Sequence, residues 1–205
     1  MFDRTQVLEF LAAAFVLVLV PGPNTMIILA QGLSGRAAAL ATVAGVELGT
    51  IVHTLAAALG LSALLLTSKL LFNAVKFIGV GYLIVIGVRT FVQQPPKVSE
   101  GRTLRPSTAF RRALVTNLLN PKSALFFLAF LPQFVRPERG HVFVQFVLLG
   151  MMVSAIGICI GSTLALTAGS LADWLSRNAS FQRWQQRVSG TILVTVAVWL
   201  ALRRE

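Results

Sequence analysis

The chain has 205 residues, 56% of them hydrophobic and 12% charged, with 18 Lys and Arg against 7 Asp and Glu, for a formal charge of +11. In a soluble protein that excess would point to nucleic acid. Here the basic residues fall between long uncharged blocks, the composition of a helical membrane protein with basic loops, so the expected partner is the lipid bilayer and not nucleic acid.

In chain order, six apolar segments fit as spans: about 6–33, 37–66, 70–92, 109–135, 141–171 and 183–202. A bilayer core takes roughly 20 apolar residues per helix, and longer segments tilt or project. The start carries Asp3, Arg4 and Glu9 instead of a basic leader, so the first block is kept as a span. Cys159, the sole cysteine, lies in the fifth block, which excludes an intrachain disulfide and a cysteine metal framework. The basic connection at about 93–108 is placed in the cytoplasm, which puts both termini on the far side. Trp174, Trp184, Trp199 and Tyr82 near span ends fit interfacial anchors.

The first segment is interrupted by Pro21-Gly22-Pro23-Asn24 and the fourth by Asn120-Pro121-Lys122. A helix interior does not absorb such prolines, because each removes a backbone donor and clashes with the preceding turn. Interrupted segments at matching places in two halves point to a transporter's binding site. Gly45 to Gly49 in the second segment matches Gly157 to Gly161 in the fifth, and Lys76 to Gly79 matches Arg187 to Gly190 at nearly the same offset. The expected fold is therefore all-α and integral to the membrane, with six transmembrane helices as two inverted three-helix repeats and helices one and four broken. The repeats are expected at about 1–92 and 109–205, within one membrane domain.

After the breaks, Asn24 and Asn120 are each suited to cap a new helix, with Pro121 in the favoured first position. Both new helices would be roughly half a bilayer long, so both starts fall near its centre. Helix N-termini attract anions, and Lys122 adds a full charge. The expected ligand is a small molecule bearing a carboxylate, held by Pro21, Gly22, Pro23, Asn24, Asn120, Pro121 and Lys122. Each break also has a plainer reading, a kink satisfied by neighbouring helices, and Lys122 has one as a side chain reaching an interface.

Glu47 sits well inside the second segment, where a carboxylate is costly. Thr50 and Thr54 share its face, while Gly45, Gly49 and His53 lie on another. The glycine face reads as close helix packing and the Glu47 face as a cavity wall. Glu47 is a candidate proton-coupling group or partner for a substrate ammonium, against a purely structural pairing. His53 is a second coupling candidate, against the commoner role of a hydrogen-bonding strut.

These residues resemble the LysE/RhtB family of bacterial amino-acid exporters over almost the whole chain. The resemblance is carried by Pro21 to Asn24, by Gly45 through Gly49 to His53, by Gly79 to Leu83 with Gly87, and by Asn117 to Lys122 running into Phe126, Phe127 and Leu131 to Phe134. It implies a multi-pass inner-membrane protein that expels amino acids or related metabolites, driven by the proton gradient. Many relatives carry an acidic residue in the middle of the fifth segment, whereas this chain has none between Glu138 and Asp173. Glu47 stands as a replacement supplied from another helix.

The alternatives are an exporter of metal cations or other solutes, a membrane-embedded enzyme, and a structural partner. Cations need several oxygen ligands and an enzyme needs a nucleophile with its base. Glu47 is the one clearly intramembrane acid, and His53 and Cys159 have no visible companions, so no enzyme activity, cofactor or metal is expected. Gly-x-x-x-Gly faces serve packing within or between subunits, and a homodimer is the expectation for the assembly.

Overall fold

Helices follow from the absence of water inside a bilayer, which forces each apolar segment to satisfy its own backbone. The computed structural model describes residues 2–20, 22–67, 69–92 and 104–202, and all of its regular elements are helical. In order they are α1 (Arg4–Leu19), α2 (Pro23–Ser34), α3 (Arg36–Thr67), α4 (Lys69–Val92), α5 (Pro106–Leu118) and α6 (Pro121–Leu125). A π-helical turn (Phe126–Phe130) and a 3-10 turn (Leu131–Phe134) continue α6; a short 3-10 turn (Pro137–Arg139) leads to α7 (Val142–Arg177) and α8 (Ala179–Leu202). Most of the basic connection at 93–108 lies outside the described residues, as does Pro21.

Both expected breaks are present. The axis turns by 57° between Arg4–Leu19 and Pro23–Leu33, and by 54° between Pro106–Leu118 and Pro121–Phe134. Among the described residues, α3 and α7 are long and apolar enough to cross a membrane, and the total reaches four when each bent pair is taken as one span. The six-span expectation exceeds this. α4 has 24 residues, of which the described stretch Phe77–Phe91 is apolar, and the first turns of α8 carry Arg183, Gln185, Gln186 and Arg187.

The centre is a pair of long crossing helices, α3 and α7, with α5 packed along α3, α2 along α7, and α4 against α8. The α3–α5 contact uses the glycine face: a Cβ at Gly45 would run into the Phe110 carbonyl oxygen and the Ala113 methyl, and one at Gly49 would meet Asn117. Gly45→Ala is expected to destabilise the protein by about 1–3 kcal/mol, since the obstacle is backbone and α5 must move as a unit. A fall in the thermal unfolding midpoint of the detergent-solubilised variant checks this; an unchanged midpoint contradicts it. Gly190 packs closely against Gly87, and Gly79 abuts Ala129.

The main core joins α1, the Phe126–Phe134 turns, α7 and α8, with Phe10, Phe130, Phe134, Phe146 and Leu149 at 0% exposure. At its outer end Gln6 Nε2 donates to the Phe134 carbonyl at 2.6 Å. Gln145, also 0% exposed, holds the following loop by accepting from Arg136 N–H (2.8 Å) and donating to the carbonyls of Arg136 and Gly140 (2.9 and 2.7 Å).

Beside this corner Arg139 pairs with Asp3 at 2.6 Å on the surface. The hydrogen bond from Arg139 holds the Asp3 carboxyl below its ordinary value of 3.8, and the guanidinium's charge adds to the effect. A carboxyl lowered in the folded state contributes stability that is complete above its unfolded value and lost as pH falls through the folded one. The Asp3→Asn effect on thermal stability is therefore expected to stay constant from about pH 5 to 8 and to vanish only below about pH 4. A variant effect that fades already between pH 8 and 5 would contradict this reading.

Candidate functional site

At each break a backbone carbonyl that faces a proline loses its helical donor, and a side chain from elsewhere reaches it. The carbonyl of Leu17 would ordinarily accept from residue 21, a proline with no N–H. Lys122 Nζ donates to it at 3.1 Å and to the Val20 carbonyl at 2.6 Å. A cation at the C-terminal end of α1 also opposes the negative end of its dipole. In the second break the carbonyl of Asn117 faces Pro121 and accepts from the Asn120 N–H instead, at 3.0 Å; His53 Nε2 lies 3.1 Å from it as a further donor, so that nitrogen carries the proton. The His53 ring also stacks on Phe127, 5.8 Å between centroids. His53 thus occupies the strut position, on the glycine face and away from the cavity described below.

The helix after the second break starts as its residues dictate. Asn120 is the N-cap, its side chain accepting from Lys122 N–H at 3.0 Å, with Pro121 at the first position. The first break differs. Pro23, with φ already suited to a helix, takes the first position and Gly22 becomes the cap residue, its N–H directed at Thr25 Oγ1 at 3.5 Å. Asn24 therefore lies inside the helix and not at its cap, and its buried Oδ1 has no hydrogen-bond partner among the described residues.

The two breaks meet at one cavity of about 130 Å³. Gly22, Asn24 and Thr25 line it from the first break, and Asn120, Lys122 and Ser123 from the second. Glu47 and Thr50 face it from α3 and Gly157 from α7, while Leu17, Ile28, Phe126, Phe127, Phe130 and Leu193 are among its apolar walls. Among the described residues its lining holds one cation, Lys122, and one acid, Glu47. Pro23, Pro121 and His53 are not in the lining, and Pro21 lies outside the described residues.

Glu47 is 8% exposed and is seated across the α3–α7 contact. Ser154 Oγ donates to its Oε2 at 2.6 Å, and its Oε1 fills the space a side chain at Gly157 would need. The carboxyl thus stands beside the backbone of the fifth apolar segment although its own backbone belongs to the second. Thr50 donates to the Val46 carbonyl at 3.2 Å and accepts from Asn117 Nδ2 at 3.1 Å; Thr54, on the same face, packs against Gly150 instead of the cavity. Among the described residues no three His, Cys, Asp or Glu gather as a metal site would require.

Sequence reasoning passed over Asn117, Ser154 and Thr25 as contributors. Asn117 is 1% exposed and donates to the Val46 carbonyl as well as to Thr50, clamping α5 on α3. Its signal is a polar residue four places before Pro121, where the ladder must lose a donor. Ser154 has one too, standing three residues before Gly157 on one helical face.

The model of the LysE type translocator family matches residues 15–204. The leucine efflux protein of Salmonella typhimurium is 30% identical over 198 residues, covering 94% of this chain and 92% of the relative. An uncharacterized membrane protein of Vibrio cholerae is 29% identical over 197 residues, 95% of each chain. No solved structure matches. A match over nearly the whole length, together with two broken helices that meet at a cavity, makes this chain a membrane protein of the LysE type translocator family.

Proposed function

We propose that the protein is a secondary transporter that exports a small amino acid, or a metabolite built like one, across the bacterial inner membrane in exchange for protons. The observation that carries this reading is the shared cavity at which both breaks meet, with Lys122 and Glu47 as its two ionisable groups among the described residues. A zwitterion presents one charge of each sign. Its carboxylate suits Lys122 and the helix start at Asn120, and its ammonium suits Glu47. The apolar walls leave room for an uncharged side chain, in keeping with a relative named for leucine efflux.

The same reading takes α4 and α8 as spans three and six, giving two inverted repeats within one membrane domain. Support comes from the near-equal bends and from the way the second helix of each half lies against the broken helix of the other. Such repeats place the substrate near the midplane and expose it alternately by rocking. Glu47, beside a site that fills and empties, is the proposed proton carrier. The assembly is proposed as a homodimer, on the strength of apolar faces such as that of α4, where Leu70 and Ile78 are 81% and 68% exposed.

The deciding experiment is efflux from cells preloaded with labelled amino acids supplied as dipeptides, with and without an uncoupler. Efflux of one or a few amino acids that stops with the uncoupler establishes the activity. No efflux from well-expressed protein removes the substrate assignment.

A further inference from the structure

The cavity is not sealed equally toward its two ends. On the side of Asp3 and Arg139 it abuts the large buried core. There the Phe10 ring of the first half packs tilted against Phe130 and edge-on against Phe134 of the second, at 6.1 and 5.1 Å between ring centroids, and Phe126 stacks on Phe130 at 4.9 Å. Phe126 and Phe130 also line the cavity, so the stack runs from its wall to the Gln6–Phe134 hydrogen bond. On the other side the buried clusters among the described residues are small: Ile28, Ala39, Val43 and Ala165, and then Leu29 with Ala168.

Three interactions on the Asp3 side cross between the halves: the ring stack, the Gln6 bond to the Phe134 carbonyl, and the Asp3–Arg139 pair. The segment they hold is not regular α-helix. It is the π turn Phe126–Phe130 followed by the 3-10 turn Leu131–Phe134, and both forms are used where a helix must change shape. A rigid plug would not need such a backbone, and a plug built from one half would not need ties to the other.

Building on the exporter reading, we propose that the Asp3–Arg139 face is the exit gate, shut in this conformation by the aromatic stack shared between the halves and latched by Gln6. Gln6 is 6% exposed and reaches a carbonyl 128 residues away, so it is the tie that must break when the halves part. The Asp3–Arg139 pair is exposed and contributes little energy, but it marks two positions that separate when the gate opens. At the opposite face α4 ends and α5 begins, with Arg89, Arg111 and Arg112 near those ends. Basic residues mark the cytoplasmic side, so the shut face is the outer one and the cavity stands ready to load from the cytoplasm.

Two measurements test this. In a Cys159→Ser background, Asp3→Cys with Arg139→Cys is treated with a short bifunctional maleimide that contains a cleavable disulfide. Export is expected to fall at least tenfold on bridging and to return on reduction; full export by the bridged protein overturns the gate. In the same background Ser123→Cys, in the cavity wall, is probed with a membrane-impermeant thiol reagent applied to each face of membrane vesicles. Labelling is expected from the face of the α4–α5 connection alone, and from both faces once Gln6→Ala and Phe134→Ala are added. Equal labelling from both faces with the stack intact, or none from the outer face in the added variants, overturns the gate. The labelling needs no substrate, so it decides the gate even where the absence of efflux from unbridged protein has removed the exporter reading.

Discussion

Lys122→Ala is expected to lower export by more than about 100-fold, corresponding to a loss of roughly 2.7 kcal/mol of transition-state stabilisation. Two effects add. The variant removes the cation of the cavity lining, and it strips the donor from the Leu17 and Val20 carbonyls at the first break. Hydrogen bonds from charged groups contribute about 1.5–3 kcal/mol each, so the variant's thermal midpoint should fall as well. The two roles separate by measuring stabilisation by added amino acid. Wild-type protein should be stabilised and Lys122→Ala should not, even at a temperature where both are folded. Lys122→Arg keeps charge and donors on a longer stem and is expected to retain part of the activity. Full export by Lys122→Ala, at equal protein in the membrane, would remove Lys122 from the mechanism.

Glu47→Gln is expected to reduce export about tenfold or more and to abolish what remains of its response to an uncoupler, since the amide still accepts from Ser154 but cannot exchange a proton. The Gly157 contact supplies a sharper check. Because the carboxyl occupies the space above Gly157, moving it to the other backbone should preserve its position. The pair Glu47→Ala with Gly157→Glu is therefore expected to recover much of the uncoupler-sensitive export that Glu47→Ala loses. Uncoupler sensitivity unchanged in Glu47→Gln would withdraw the proton role.

Much of this arrangement is legible in the amino-acid order alone, because prolines in apolar runs have local and unavoidable consequences. Pro21, Pro23 and Pro121 announce both breaks, and Asn120 beside Pro121 announces its cap. The first cap stands two residues earlier than Asn24, the residue expected there, since Pro23 enters the helix ahead of it and leaves the cap to Gly22 and Thr25. Contact between distant segments is what residue order does not display. His53 on the Asn117 carbonyl, Lys122 on the Leu17 carbonyl and Glu47 in the notch of Gly157 join residues 64, 105 and 110 places apart, and no periodicity records such pairings. Span counting is weakest where Arg183 and Arg187 occupy the first turns of α8, because a helix end rich in polar residues looks alike whether it enters lipid or rests on its surface.

The tie between Lys122 and α1 also bears on how the chain is made. When the first segment leaves the ribosome and enters the bilayer, its Leu17 carbonyl has no partner, and the lysine that will supply one lies 105 residues further along. At synthesis rates of about 5–20 residues per second, that interval lasts roughly 5–20 s. The first bent helix is thus inserted as an unfinished piece. It stays hydrated, or leans on the insertion machinery, until the second half arrives to complete it.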